Sequence, residues 1–252
     1  MFLDPGFSNW NEKAWRMVAA LRLKDPRVAS ALRRIPRHRF LSRGLWPTAY
    51  VDTPLPVGPE ATISAPHMVA IQLELGDLQE GMKVLELGSG SGYVLALASL
   101  LVGPRGLVVG VEYEPSLVER SLKILRGLGI QASELKKDPS GTETRPPPGA
   151  PAEEVRPVST IATPESEPSE VRVLCGSGYH GCPTLAPFDR ILVSYAGPNP
   201  EGEPWLEELK PEGKAVAPVE LERYTELEVW KRSQGRWSME KGPPCLFVRR
   251  KA

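Results

Sequence analysis

The sequence predicts an α/β protein built on a doubly wound, mostly parallel sheet, with helices ahead of it and an antiparallel strand pair at its carboxyl end. Three observations carry this. Short apolar runs alternate with segments whose apolar residues recur at helical spacing. One run, Val84-Leu85-Glu86-Leu87, passes through a glycine-rich turn directly into a helical segment. Two further apolar runs near the carboxyl end have no helical segment between them.

Taken in order, Asn11 to Leu23 carries Ala14, Val18 and Leu21 on one helical face, and Val28 to Ile35 predicts a second short helix. The basic residues Arg33, Arg34, Arg37, His38, Arg39 and Arg43 follow, and read as a solvated surface with ion pairs. Ser64-Ala65-Pro66 has the form of a helix start, with a hydroxyl cap and proline in the first turn, and Met68, Ile71 and Leu75 recur on one face behind it. Val84 to Leu87 is a strand, Tyr93 to Leu101 a helix, and Gly103 to Gly106 a turn. Leu107 to Val111 is the next strand and Pro115 opens the next helix. Val171 to Leu174 and Arg190 to Ser194 are strands. A helix over Trp205 to Leu209 stops at Lys210-Pro211-Glu212-Gly213, and Lys214 to Ala217 is a strand. Glu226 to Lys231 and Cys245 to Arg249 form the terminal pair.

Composition bounds the function. The chain has 252 residues, 41% hydrophobic and 25% charged, with 31 basic residues against 31 acidic ones. Zero net charge excludes a general nucleic-acid coat, and the apolar content excludes a disordered chain. Three cysteines are too few for a disulfide framework and fit a reducing compartment; their spacing argues against zinc, and no metal is expected. No signal peptide opens the chain, and no apolar run approaches the roughly 20 residues of a membrane helix. The expected setting is the cytoplasm, with no membrane or nucleic-acid partner, and a monomer is expected. One stretch stands apart: residues 136–170 hold eight prolines and no aromatic residue. Such a segment buries too little apolar area to offset its ordering entropy, so it is expected to be a disordered insertion within a single domain, 1–252.

The strongest local signal is Gly88-Ser89-Gly90-Ser91-Gly92, between the strand ending at Leu87 and the helix opening at Tyr93. Glycine lets the backbone turn sharply and lets a ligand approach it, and the helix amino terminus adds unpaired N–H groups. A dinucleotide loop would place glycine where Tyr93 stands. Glu112 ends the next strand, where a carboxylate can accept hydrogen bonds from a ribose. This combination resembles the class I S-adenosylmethionine-dependent methyltransferases, whose fold is a seven-stranded, mostly parallel sheet with a reversed terminal hairpin.

A second motif narrows the resemblance. Tyr50 through Gly58, running on to Ala61-Thr62-Ile63-Ser64-Ala65-Pro66-His67-Met68, is similar to the signature of the protein-L-isoaspartate (D-aspartate) O-methyltransferases. Pro187 to Val193 and Leu206 to Val219 extend the likeness. It implies methyl transfer from S-adenosyl-L-methionine to the free carboxylate of L-isoaspartyl and D-aspartyl residues in damaged proteins or peptides. The ester then closes to a succinimide whose hydrolysis returns some normal aspartate. It implies Ser64 as the active-site hydroxyl, with His67 and Asp52 beside it. Ala61, Thr62, Ile63, Ser64 and His67 would flank the cofactor. Gly88, Ser89, Gly90, Ser91 and Gly92 would hold its amino-acid part, Glu112 its ribose, and Gly176 and Ser177 its adenine.

Each residue also has a plainer reading: Ser64 as a helix cap, His67 as a structural first-turn residue, Asp52 as a turn residue. The chain departs from the family in places. Ser177 replaces an aspartate, Ser194-Tyr195-Ala196-Gly197 replaces a run of small residues, and Cys245 to Arg250 replaces a Val-Pro-Leu close. Two other functions stay open on the sequence alone: a carboxyl methyltransferase for aspartate in a specific peptide, and a non-catalytic interaction module on the cofactor fold.

Overall fold

The computed structural model describes residues 9–137, 143–144 and 167–249. Its helices are α1 (Trp10–Leu21), α2 (Pro26–Arg34), α3 (Pro66–Gly76), α4 (Tyr93–Val102) and α5 (Pro115–Gly127). Its strands are β1 (Leu55–Gly58), β2 (Ala61–Ile63), β3 (Lys83–Leu87), β4 (Leu107–Glu112), β5 (Ala132–Lys137), β6 (Glu143–Thr144), β7 (Glu170–Cys175), β8 (Phe188–Val193), β9 (Leu209–Glu220), β10 (Thr225–Ser233) and β11 (Arg236–Cys245).

Local chemistry sets the helix starts. The Asp25 side chain accepts from Arg27 N with Pro26 in the first turn, and the Glu114 side chain accepts from Ser116 N with Pro115 behind it. Every residue of α4 is buried, as its continuous apolar sequence requires.

Nine strands form the main sheet, in the order β11-β10-β9-β8-β3-β4-β7-β5-β6. The six from β9 to β5 run parallel, and β10 runs antiparallel to β9, which together give the seven-stranded pattern. β11 and the two-residue β6 extend it at either edge. Alternation along the strands splits the core. Val84, Val108 and Val173 pack with all five helices, whereas Leu85, Val109 and Leu174 pack on the other face against Cys182, Trp205, Leu206 and Trp230. That second face is covered by short 3-10 turns at Gly178–His180, Pro183–Leu185 and Pro204–Glu208.

Several expectations are corrected. The helix expected over Trp205 to Leu209 is a single 3-10 turn, Pro204–Glu208, and Leu209 already belongs to β9. Lys210 to Gly213 is no break between elements but a bulge: Phe188 pairs with Leu209 and Arg190 with Lys214, while Lys210 Nζ reaches both oxygens of Asp189 at 2.9 Å. The partner of β10 is Arg236–Cys245 across a Gln234-Gly235 turn, one strand earlier than Cys245 to Arg249. On α3 the buried face takes in Val69, Gln72, Leu73 and Gly76, leaving Ile71 and Leu75 half-buried. Arg37 and His38 are fully buried rather than solvated. The ends of the expected 136–170 insertion belong to β5 and β7; apart from 143–144 and 167–169, its interior lies outside the described residues.

Candidate active site

Parallel pairing of β3 with β4 matches Leu87 to Val111, so the glycine loop and Glu112 emerge together at the carboxyl edge of the sheet. Gly88 and Ser89 both donate from their backbone N–H to Val111 O, at 2.8 and 3.1 Å. Gly88, Gly90 and Gly92 all hold positive φ, which the loop's turn demands. The Glu112 carboxylate fixes the loop from the far side, accepting from Gly90 N at 2.7 Å and from Glu114 N at 3.0 Å. Gly176 N donates to Glu112 O at 2.9 Å, which ties the loop after β7 to the same place.

A cavity of about 150 Å³ opens there. Gly88, Gly90 and Glu112 line it together with Ser177 and Gly178 and with Ala61 and Thr62 of the β1–β2 hairpin. Val111, Leu117, Tyr195 and Val248 supply apolar wall. Of the residues the sequence singles out, six therefore share this lining: Ala61, Thr62, Gly88, Gly90, Glu112 and Ser177. Ser89, Ser91 and Gly92 are buried beneath it. Ile63 is buried and Ser64 half-buried just beyond Thr62.

Ser64 is not the cap of α3. Ala65 holds that position and makes no side-chain cap; the first-turn N–H of His67 is satisfied from outside the helix by Asp52. Asp52 and His67 meet outside the cavity lining. The Asp52 Oδ1 accepts from His67 N at 2.9 Å and from His67 Nδ1 at 2.8 Å, with both side chains near half exposure. Two wider grooves flank this pair, 820 Å³ on the His67 side and 420 Å³ on the Asp52 side.

Three features of the site were hidden in the sequence, and a fourth, Tyr195, showed there only as a departure from the family's run of small residues. Arg37 donates from Nε to Ala49 O at 2.9 Å and His38 Nδ1 lies 2.9 Å from the Tyr50 hydroxyl, so the turn Arg37–Phe40 braces the segment that carries Asp52. Burial lowers the Arg37 pKa, and Tyr93 opposes that shift. Glu86, buried at the end of β3, accepts from Ser194 Oγ at 2.7 Å. Desolvation, and then the charge of Glu112, push its carboxyl well above the ordinary glutamate range. Gln72 Nε2 donates to Val193 O at 2.8 Å, which seats α3 on the strand leading to Ser194. Tyr195 places its ring at the cavity floor. The only sequence signals for these were a carboxylate inside an apolar strand and an aromatic residue among small ones.

The groups that line the cavity are of the kinds a nucleoside joined to an amino acid would meet. A Cβ built at Gly90 would meet nothing closer than Gly88 O at 4.0 Å, so the backbone there is open to a ligand. A carboxylate and a hydroxyl sit beside apolar wall, the mix that a ribose and an adenine ring require.

A model of the protein-L-isoaspartate(D-aspartate) O-methyltransferase family matches residues 11–251. The chain is 38% identical over 214 residues to protein-L-isoaspartate O-methyltransferase 2 of Archaeoglobus fulgidus, covering 84% of this chain and 80% of that one. It is 38% identical over 227 residues to the protein-L-isoaspartate O-methyltransferase of Methanopyrus kandleri, covering 90% and 84%. It also resembles a solved protein-L-isoaspartate O-methyltransferase with a TM-score of 0.73 at 27% identity, over 96% of this chain and 66% of that chain.

Proposed function

The chain belongs to the protein-L-isoaspartate(D-aspartate) O-methyltransferase family, and from that premise we propose that its cavity and the Ala61–Ser64 segment together methylate the free carboxylate of isoaspartyl and D-aspartyl residues. It is an S-adenosyl-L-methionine-dependent enzyme that acts on damaged proteins and starts their repair through a succinimide. The observation that carries the reading is the shared cavity: Ala61 and Thr62, just ahead of Ser64 in the chain, line the same hollow as Gly88, Gly90 and Glu112.

The residues would divide the work as follows. Gly88 to Gly92 hold the amino-acid part of the cofactor, Glu112 the ribose, and Gly176 and Ser177 the adenine. When bound, S-adenosyl-L-methionine supplies a methyl group activated by a sulfonium. The accepting carboxylate is ionised near neutral pH, so no strong base is needed. Ser64 donates a hydrogen bond that orients this carboxylate. Asp52 accepts the Nδ1 proton of His67, which leaves Nε2 as the ring's acceptor for the peptide flanking the damaged residue.

The same reading takes 1–252 as one domain, a cytoplasmic monomer without membrane or nucleic-acid partners. No helix among the described residues is long and apolar enough to cross a membrane. The test is a paired assay with labelled cofactor and matched isoaspartyl and aspartyl peptides. Preferential labelling of the isoaspartyl peptide, lost in Ser64→Ala, supports the proposal; faster labelling of the aspartyl peptide rejects it.

A further inference from the structure

The ring of Tyr195 is wedged between the two loops that meet at the cavity. A Cβ added to Gly88 would come within 2.8 Å of Tyr195 Cδ1. A Cβ added to Gly178 would come within 2.8 Å of Cε1 and 3.1 Å of the hydroxyl, and its three nearest neighbours would all be Tyr195 atoms. Gly88 also needs glycine for its φ of +76°. Gly178 does not lie in the left-handed region, so the ring alone forbids a side chain there.

The ring is a fixed wall rather than a lid. It is only 8% exposed. Ser194 N donates to Leu87 O at 2.8 Å, Ala196 N to Val248 O at 2.7 Å, and the Ser194 hydroxyl to buried Glu86. The backbone on both sides is thus pinned. The cavity it floors, at 150 Å³, is narrower than the roughly 300–1,000 Å³ of most small-molecule sites.

We infer that Tyr195 is a cofactor-positioning residue: its ring sets the separation of the Gly88 loop from the Gly178 loop, and so selects ligands that span both. This rests on the reading of the cavity as the cofactor site. A ligand that engages both loops depends on their spacing, whereas one that engages only the adenine side does not. The ring is therefore a discriminator between the whole cofactor skeleton and its nucleoside fragment.

The experiment is calorimetry with S-adenosyl-L-homocysteine and with adenosine, on the wild-type protein, three single variants and one double variant. Tyr195→Ala is expected to raise the dissociation constant for S-adenosyl-L-homocysteine about tenfold while moving that for adenosine by less than about threefold. Tyr195→Phe keeps the ring and keeps the wild-type ratio. Gly178→Ala, which drives a methyl group into the ring, weakens S-adenosyl-L-homocysteine, and adding Tyr195→Ala to it brings binding back to the Tyr195→Ala level. Equal loss of both ligands in Tyr195→Ala, tighter binding of S-adenosyl-L-homocysteine, or no recovery in the double variant overturns the inference. Wild-type protein that binds adenosine but not S-adenosyl-L-homocysteine would instead overturn the cofactor reading beneath it.

Discussion

The Asp52 carboxylate takes two hydrogen bonds from one residue, His67, through its backbone N–H and through Nδ1. The pair fixes both the start of α3 and the face that the imidazole turns outward. Being near half exposed, it adds little to stability, of the order of 0–1 kcal/mol. Asp52→Asn is therefore expected to leave the melting temperature almost unchanged. It should lower kcat/KM for an isoaspartyl peptide roughly tenfold, equivalent to about 1.4 kcal/mol of transition-state stabilisation. Unchanged kinetics would limit the pair to a structural role.

Ser64→Ala separates the two readings of that hydroxyl. A true helix cap costs about 1 kcal/mol when removed. Ala65 occupies the cap position, so urea denaturation should show a change under about 0.5 kcal/mol. Methyl transfer should fall at least about tenfold. A large stability loss with normal turnover would restore the capping role and remove the catalytic one.

Glu86 gives the protein a pH signature. Its folded-state pKa lies above the ordinary value of 4.5. Between those two values the folded chain keeps a proton that the unfolded chain has lost, so this group's contribution is full below 4.5 and is lost as pH rises through the folded value. Glu86→Gln cannot ionise and should lose that slope. Relative to the wild type it gains stability as pH is raised above 4.5 toward the folded-state value. Parallel curves of urea midpoint against pH for the two proteins would refute the assignment.

The Ser177 hydroxyl accepts from Tyr179 N at 3.3 Å. A carboxylate there would keep that turn and offer a charged acceptor, which makes a hydrogen bond roughly twice as strong. Ser177→Asp is expected to tighten S-adenosyl-L-homocysteine about fivefold, near 1 kcal/mol, by calorimetry. Weaker or unchanged binding would move the adenine away from this loop.

What the sequence disclosed was mostly local. Strand, glycine loop and helix from Lys83 to Val102 are contiguous, so their order and residue types show in the sequence even where their hydrogen-bond partners lie elsewhere. The pairing of β10 was misplaced because β11 is polar and largely exposed, so no alternation marks it, while the apolar run after Cys245 mimics a strand. Arg37 and His38 sit in a run of basic residues, and distant contacts bury them, with Ala49 and Tyr50 twelve positions on and with the rings of Trp10, Trp46 and Tyr93. The Asp52–His67 pair spans fifteen positions and has no periodic signature. The hidden part of the site is thus the part made by tertiary contact.

The wall beside Tyr195 has a consequence for assembly. Val248 and Arg249 line the hollow, and Val248 O holds Ala196 N in place, so residues synthesised late complete a chamber begun at Gly88. Long-range closure of this kind comes late in folding. A chain stopped after Cys245 should accordingly keep its circular dichroism while failing to bind S-adenosyl-L-homocysteine; retention of that ligand would show the chamber complete without its last contributor.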